Sequence, residues 1–499
     1  MSEQDQSNIV ERRQGGSGSA QTQGELNQSL GLFSALTVVA GSMVGSGIFI
    51  VSAETVHYVG TGGMLMAVWI FSAVLTLLGA ASYAKFAGHL PRAGGQYVFL
   101  KEAWGEIPAF LYGWVLFTVI QTGFLAAVAV AFARYVGVLT PEINTRYFVQ
   151  LSPQFGISSE QMLAVVVLIV LTWFNTTGIK NGAALQNVFT TLKVIALLAV
   201  ILIGLSFGVH LFTPGAIDWS LHIPQQTLLA NDLGHESMMA IFATAAVGPL
   251  FSADAWNYVT FIGGEVRDAK VNLPKALIMG TVLVLVLYLL VNLAYLNVLT
   301  LDEIQTAPEQ RVAAALMSRV FGPHGASLMA MVILVSAFGC LNGMLFSGAR
   351  VFYAMAKDRL LFRRFAEVDP LTKSPNFALW VQCAWSVILA LSGRYSDLLA
   401  YVVFTSLLFY IITMAGLIKL GLQHPEEYQM TRKRDFALPV AYIAGAGFIA
   451  LYLLIGGDKW FTSLAGVLFT LLGLIVYFGW KKLVPAQYQE TWTDRRNAS

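Results

Sequence analysis

The sequence predicts an all-α integral membrane protein of twelve transmembrane helices, arranged as a 5+5 inverted repeat with discontinuous helices 1 and 6. Three observations carry that expectation. The chain is poor in charge and rich in long apolar runs, its lysines and arginines are distributed unevenly, and two helix-breaking motifs lie five segments apart.

Of 499 residues, 56% are hydrophobic and 12% are charged, with a mean hydropathy of +0.66. A soluble domain carries about 25% charged residues. Stretches such as 281–297 and 463–478 contain no Asp, Glu, Lys, Arg or His and read as membrane spans. The net charge of +2 offers no basic patch for nucleic acid. Cys340 and Cys383 both lie in apolar runs and form neither a disulfide framework nor a metal set, so no metal or other cofactor is expected. Residues 1–30 are rich in Gln, Ser, Gly and Glu and lack the apolar core of a signal peptide, which predicts a disordered cytoplasmic tail.

Twelve apolar segments follow, at about 31–57, 62–84, 107–136, 161–178, 185–208 and 238–264, then 274–299, 325–356, 376–392, 396–419, 438–457 and 461–480. At 1.5 Å per residue each reaches across most or all of ~30 Å of hydrocarbon. If the amino terminus is cytoplasmic, 23 lysines and arginines fall on the inner side and 6 on the outer, with Lys193 deeper within segment 5. That asymmetry places both termini, including the basic tail 481–499, in the cytoplasm of a multi-pass protein in the cell membrane.

Segment 1 contains Gly41-Ser-Met-Val-Gly-Ser-Gly-Ile-Phe49. Close helix packing of the small-xxx-small kind would account for Gly41 and Gly45. The Gly-Ser-Gly at 45–47 favours an unwound stretch instead. Segment 6 has its own interruption, Gly248-Pro-Leu-Phe-Ser-Ala-Asp-Ala-Trp-Asn257. Proline removes a backbone donor there, and Asp254 sets a carboxylate near mid-depth, a costly position unless it faces protein or water.

Five helices per repeat is an odd number, so a second repeat enters from the opposite face. Residues 31–208 and 238–419 then form inverted halves whose broken helices meet at the midplane, followed by two further helices over 438–480. A half-helix beginning near Gly47 offers N–H groups and a positive dipole end to a carboxylate. A half-helix ending near Phe251 offers carbonyls to an ammonium. Both groups on one carbon describe an amino acid.

These same residues resemble the amino acid–polyamine–organocation superfamily and, within it, the L-type amino acid transporter family. The likeness runs from about residue 28 to 480. Besides the two interruptions it includes Pro91-Arg-Ala-Gly-Gly-Gln-Tyr97, Leu185-Gln-Asn-Val-Phe-Thr-Thr-Leu-Lys193, Ala255-Trp-Asn-Tyr-Val-Thr-Phe261, Glu265 and Asn272-Leu-Pro274. Ser336-Ala-Phe-Gly-Cys-Leu-Asn-Gly343 and Gly348-Ala-Arg-Val-Phe-Tyr-Ala-Met-Ala-Lys-Asp358 complete it. The resemblance implies a LeuT-type fold and sodium-independent exchange of L-amino acids by alternating access. It makes Ser42, Gly45, Ser46 and Gly47 a carboxylate cradle, and the carbonyls of Met43, Phe251 and Asp254 ammonium acceptors. The Phe251 ring becomes an outer gate, and Gln121, Phe124, Trp256, Asn342 and Ser406 become candidates for the side-chain pocket.

Lys193 would occupy the space that sodium fills in sodium-coupled relatives, donating to carbonyls at the end of the first half-helix and to hydroxyls of segment 8. Unpaired, a lysine at that depth costs ~3 kcal/mol; snorkelling is the alternative.

The chain departs from the family pattern in three places. Mammalian members bind a single-span glycoprotein through a cysteine after segment 3, but 137–160 contains none, so no disulfide-linked heavy subunit is expected. Asp254 stands where many members have glycine, although members that handle cationic amino acids and cystine carry aspartate there. Ala255 also replaces a usual glycine.

Other classes fit less well. His235-Glu236 lacks the second histidine of a metalloprotease motif, and there is no phosphate-binding loop for ATP. A channel needs rings of charges or carbonyls. Within transport, the alternatives are a proton-coupled symporter, with Asp254 or Glu265 titrating, and an antiporter of cationic amino acids or polyamines.

Overall fold

A computed structural model describes residue 26 and residues 28–483, except 141, 143–146, 153–154, 231–236, 393–394 and 456–459. Most of the two expected tails, and the His235-Glu236 pair, lie outside the described residues.

Among the described residues, nine helices are long and apolar enough to cross a membrane. They are Gly62–His89, Glu106–Leu139, Ser159–Thr176, Ile179–Phe207, Ala269–Val298, His324–Lys357, Val402–Gln423, Lys433–Leu454 and Gly466–Leu483. These correspond to segments 2–5, 7, 8 and 10–12 of the sequence, and Asn376–Leu391 occupies the shorter segment 9. Local chemistry sets several starts: the Thr61 hydroxyl accepts from the Met64 amide, and Ser158 with Gln161 forms a reciprocal capping box. Trp173, Leu202 and Ile475 point outward, the apolar exterior that lipid requires.

Segments 1 and 6 are the discontinuous ones. Segment 1 consists of Leu32–Met43, a 3-10 turn at Gly47–Phe49 and the helix Val51–Val59. Segment 6 runs as Met238–Ser252, unwinds, and resumes only briefly at Tyr258–Phe261. Pro249 lies inside the first of these helices, and the chain leaves helical geometry three residues later. A proline lacks the N–H that would bind the carbonyl one turn back, but the turn after it continues until other residues end it. Beyond the helix end at Ser252 and its cap Ala253, Ala255 stands at φ +66°, a left-handed conformation that costs an alanine about 1–2 kcal/mol. A glycine would adopt it freely.

Segments the sequence left as loops also contain structure. Gln96–Trp104, Leu301–Gln305 and Val312–Phe321 are helices, and Tyr147–Ser152 pairs antiparallel with Phe155–Ser158. The far end of segment 6 is held on three sides. Leu30 donates its N–H to the Glu265 carbonyl (3.0 Å) and accepts from the Arg267 amide, Gly94 donates to the Phe261 carbonyl, and buried Arg350 pairs with Glu265 at 3.1 Å.

Candidate functional site

The unwound part of segment 1 is buried, so its backbone groups need partners. Every carbonyl from residue 41 to 48 has one. Lys193 on segment 5, itself 1% exposed, donates to Gly41 (2.7 Å) and Val44 (2.8 Å). Cys340 of segment 8 donates its thiol to Ser42, and the Ser336 hydroxyl donates to Val44 and lies 3.3 Å from the Gly45 carbonyl. The Met43 carbonyl accepts from the Tyr288 hydroxyl (2.9 Å) and the Gly45 amide. Phe49 and Ile50 amides serve Ser46 and Gly47, and the Tyr295 hydroxyl serves Ile48.

The donors in the same stretch are not served. Among the described residues, no acceptor bonds the N–H groups of Ser46, Gly47 or Ile48, and the buried hydroxyls of Ser42 and Ser252 are also unpartnered. Three consecutive amides with all neighbouring carbonyls satisfied make the break a net donor, suited to an anion. Across from it, Gly47 abuts Ser252: a Cβ built on Gly47 would lie 2.4 Å from the serine Oγ. Just beyond, the carbonyls of Ala253 and Asp254 accept no hydrogen bond from the described residues. A net-donor surface and free acceptors thus meet at the two breaks.

Small residues permit this approach. A Cβ on Gly41 would lie 2.0 Å from the Gln186 Nε2, and one on Gly343 would lie 2.6 Å from the Ser42 Oγ. Gly41 is therefore a packing glycine, whereas Gly47 faces the break in segment 6.

The other residues singled out from sequence divide into two groups. Phe124 and Phe251 stack at 4.7 Å, and Trp256, Ser406 and Asp254 line one small cavity, where the Tyr410 hydroxyl donates to Asp254 at 2.6 Å. Gln121 and Asn342 lie elsewhere. Gln121 gives its amide to the Met344 carbonyl (2.6 Å) and presses on Gly348, while Asn342 is tied to Asn175, Gly182 and Gln186. Both are interhelical fasteners in this structure, because buried amides take the nearest backbone partners. Segment 8 also meets Lys193 through the Ser336 carbonyl (3.1 Å), not through a hydroxyl. The Phe251 carbonyl, expected to be open, accepts from the Asp254 amide, and both acceptor positions of Met43 are taken.

Sequence reasoning located segment 7 as a span but missed its side chains at the break. Tyr288, Asn292 and Tyr295 recur at i, i+4 and i+7 in a run otherwise almost wholly apolar, a one-faced polar stripe that could have been read. Tyr288 reaches the Met43 carbonyl and also lies 3.1 Å from the Ser252 carbonyl, so one hydroxyl faces the ends of both half-helices. Asn292 accepts from Ser52 beyond the break.

A family model described as amino acid permease matches residues 30–494. The chain is 29% identical over 466 residues to the serine/threonine exchanger SteT of Bacillus subtilis (strain 168), covering 92% of this chain and 98% of that protein. It is 28% identical over 460 residues to the human large neutral amino acids transporter small subunit 2, covering 91% and 80%. It is 27% identical over 453 residues to the mouse b(0,+)-type amino acid transporter 1, covering 91% and 88%.

Proposed function

This chain belongs to the amino acid permease family, and from that premise we propose that it exchanges neutral L-amino acids across a membrane without sodium, by alternating access. The observation that carries the reading is the donor-rich break of segment 1 facing the free carbonyls of segment 6. The amides of Ser46, Gly47 and Ile48 take the substrate carboxylate, with the hydroxyls of Ser42 and Ser252 beside them. The carbonyls of Ala253 and Asp254 take the ammonium. An α-amino acid carries both charges on one carbon, and an amine lacking the carboxylate does not.

The architecture proposed with it is twelve crossings in a 5+5 inverted repeat. Nine long helices, the two interrupted segments and Asn376–Leu391 support that count. Both termini are proposed to be cytoplasmic, on the basis of the lysine and arginine asymmetry. No cysteine stands in 137–160, so the exchanger is proposed to work without a disulfide-linked partner.

Exchange, not sodium symport, follows from Lys193. Its ammonium already bridges Gly41 and Val44 to segment 8, supplying the positive charge that the unwound carbonyls need. Uptake into proteoliposomes should be unchanged when choline replaces sodium, and should rise about tenfold when unlabelled substrate is loaded inside. Steep sodium dependence, or uptake driven only by a proton gradient into empty vesicles, would overturn the exchange mechanism.

Tyr288→Phe tests the joint between the half-helices. The substitution leaves the Met43 and Ser252 carbonyls without their phenolic donor, at about 1–3 kcal/mol for a buried group. Exchange measured as kcat/KM should fall about tenfold while the yield of folded protein is kept. Wild-type kinetics would mean the hydroxyl plays no part in aligning the breaks.

A further inference from the structure

The ends of segments 8 and 12 meet on the cation-rich face of the molecule. Segment 8 closes at Lys357, and a short 3-10 turn, Arg363–Ala366, follows. The Trp480 indole, near the end of segment 12, donates to the Arg359 carbonyl at 3.1 Å. The Phe362 ring meets Trp480 edge-on, with 4.7 Å between centroids, yet Phe362 stays 62% exposed. A ring left this open gains little by burial within the protein. On segment 12 the exposed residues Ile475, Phe478 and Lys482 recur at i, i+3 and i+7, so one outward face passes from apolar to basic. That transition marks the depth of lipid headgroups, where aromatic rings settle. Phe362 is pinned at the same depth by Trp480.

The charge around this contact is one-sided. Arg359, Arg363 and Arg364 come from the connection after segment 8, and Lys481 and Lys482 from segment 12. The carboxylates nearby are already committed. Asp358 accepts from Lys101 at 2.7 Å and from the Tyr97 hydroxyl at 2.8 Å, and Glu106 holds Lys481 at 2.7 Å. Asp369 accepts the amides of Leu371 and Thr372 in its own turn. Glu367 is exposed, but buried Phe365 and Ala366 separate it from the two arginines in sequence. Arg363, Arg364 and Lys482 are exposed, and none of the ion pairs among the described residues includes them. The inward bias of basic residues explains why cations gather on this face. It does not explain an exposed aromatic ring fixed among them.

We infer that this patch binds an anionic phospholipid, with the phosphodiester between Arg363 and Arg364 on one side and Lys482 on the other. The acyl chains then run along Phe362, Phe478 and Ile475. Guanidinium groups match phosphate oxygens two at a time, and lysine adds a point charge. A zwitterionic lipid brings its own cation to the phosphate and gains less from the patch. A free phosphate ion lacks the chains that cover Phe362.

Binding can be read without transport, so the fate of the exchange reading does not touch this test. The purified full chain in detergent is titrated with phosphatidylglycerol or phosphatidylcholine of identical chains, and retained lipid is counted by native mass spectrometry. Phosphatidylglycerol should be held at least about tenfold more tightly, since each cation near a membrane surface is worth about fivefold in affinity for an anionic lipid. Combining Arg363→Gln, Arg364→Gln and Lys482→Gln should remove most of that preference. Combining Arg432→Gln, Lys433→Gln and Arg434→Gln, three exposed cations on the connection between segments 10 and 11, should leave it in place. Phe362→Ala should weaken retention with every cation present, and Phe362→Trp should preserve it. Equal retention of the two lipids by the wild type overturns the inference, as does the same loss in both triple variants. Displacement of the lipid by millimolar inorganic phosphate would show an anion site with no need of lipid, and overturns it too. Should the first triple variant fail to fold, the wild-type preference and the Phe362 pair still decide.

Discussion

Gly47→Val should abolish exchange, by a hundredfold or more, while the protein remains folded in the membrane. A Cβ at this position would lie 2.4 Å from the Oγ, 3.1 Å from the Cβ and 3.3 Å from the Cα of Ser252. The serine hydroxyl can rotate away, but its backbone cannot, so valine pushes the two broken segments apart. Separation moves the amides of residues 46–48 relative to the carbonyls of 253 and 254, and the two halves of a zwitterion no longer fit together. A loss of about 3 kcal/mol in transition-state stabilisation is a factor of more than a hundred.

Two controls bracket the effect. A Cβ on Gly45 meets only Cys340, its Sγ at 3.3 Å and its Cβ at 4.0 Å, so Gly45→Ala should be milder than Gly47→Ala. Gly447 has nothing within 4 Å, and Gly447→Val should exchange normally. Initial rates of exchange, with size-exclusion profiles as the check on folding, decide the matter. Near-normal exchange by Gly47→Val would remove the contact between the breaks as the site.

Lys193→Ala should reduce turnover about a hundredfold. The ammonium is the charged donor to Gly41 and Val44 and also binds the Ser336 carbonyl, so its removal orphans backbone acceptors on two segments. Val44 keeps the Ser336 hydroxyl, but Gly41 and Ser336 lose this donor, at about 1–3 kcal/mol for each buried group. Lys193→Met keeps most of the side-chain volume but removes the charged donor, so it separates the ammonium's bonds from packing. If both variants are slow, the charge aligns the half-helices; if methionine restores turnover, the lysine acts by filling space. Normal turnover in both would mean the interaction is structural ornament to the transport cycle.

Much of the outline was legible in residue order. Apolar runs located the long helices because a membrane span must satisfy its backbone internally and face lipid outside. Clustered glycine and serine at 41–47 marked the break in segment 1, and Lys193 announced itself because a lysine so placed demands a partner. The break in segment 6 was legible as well, with a half-helix expected to end near Phe251. The helix runs on to Ser252, because the proline withdraws one donor without ending the turns that follow.

The destinations of the amides were not legible. Gln121 and Asn342 have the same composition-level signature as a pocket residue, a polar group in an apolar segment, yet each is bound to a neighbouring helix. Which face a polar side chain turns towards depends on helix rotation and crossing, which no local pattern specifies.

By itself, the sequence determined that this chain is helical, that it is apolar enough to live in a bilayer, and where its first helix comes apart, because these are properties of propensity, hydration and run length. Only the tertiary structure decided that every carbonyl of the first break is occupied while three amides are free, and that Asp254 and Ser406 share one small cavity. Those facts depend on hydrogen bonds between residues far apart in the chain, such as Tyr288 to Met43 and Cys340 to Ser42. Directional bonds of that kind form only once packing has fixed both partners within about 3 Å of each other.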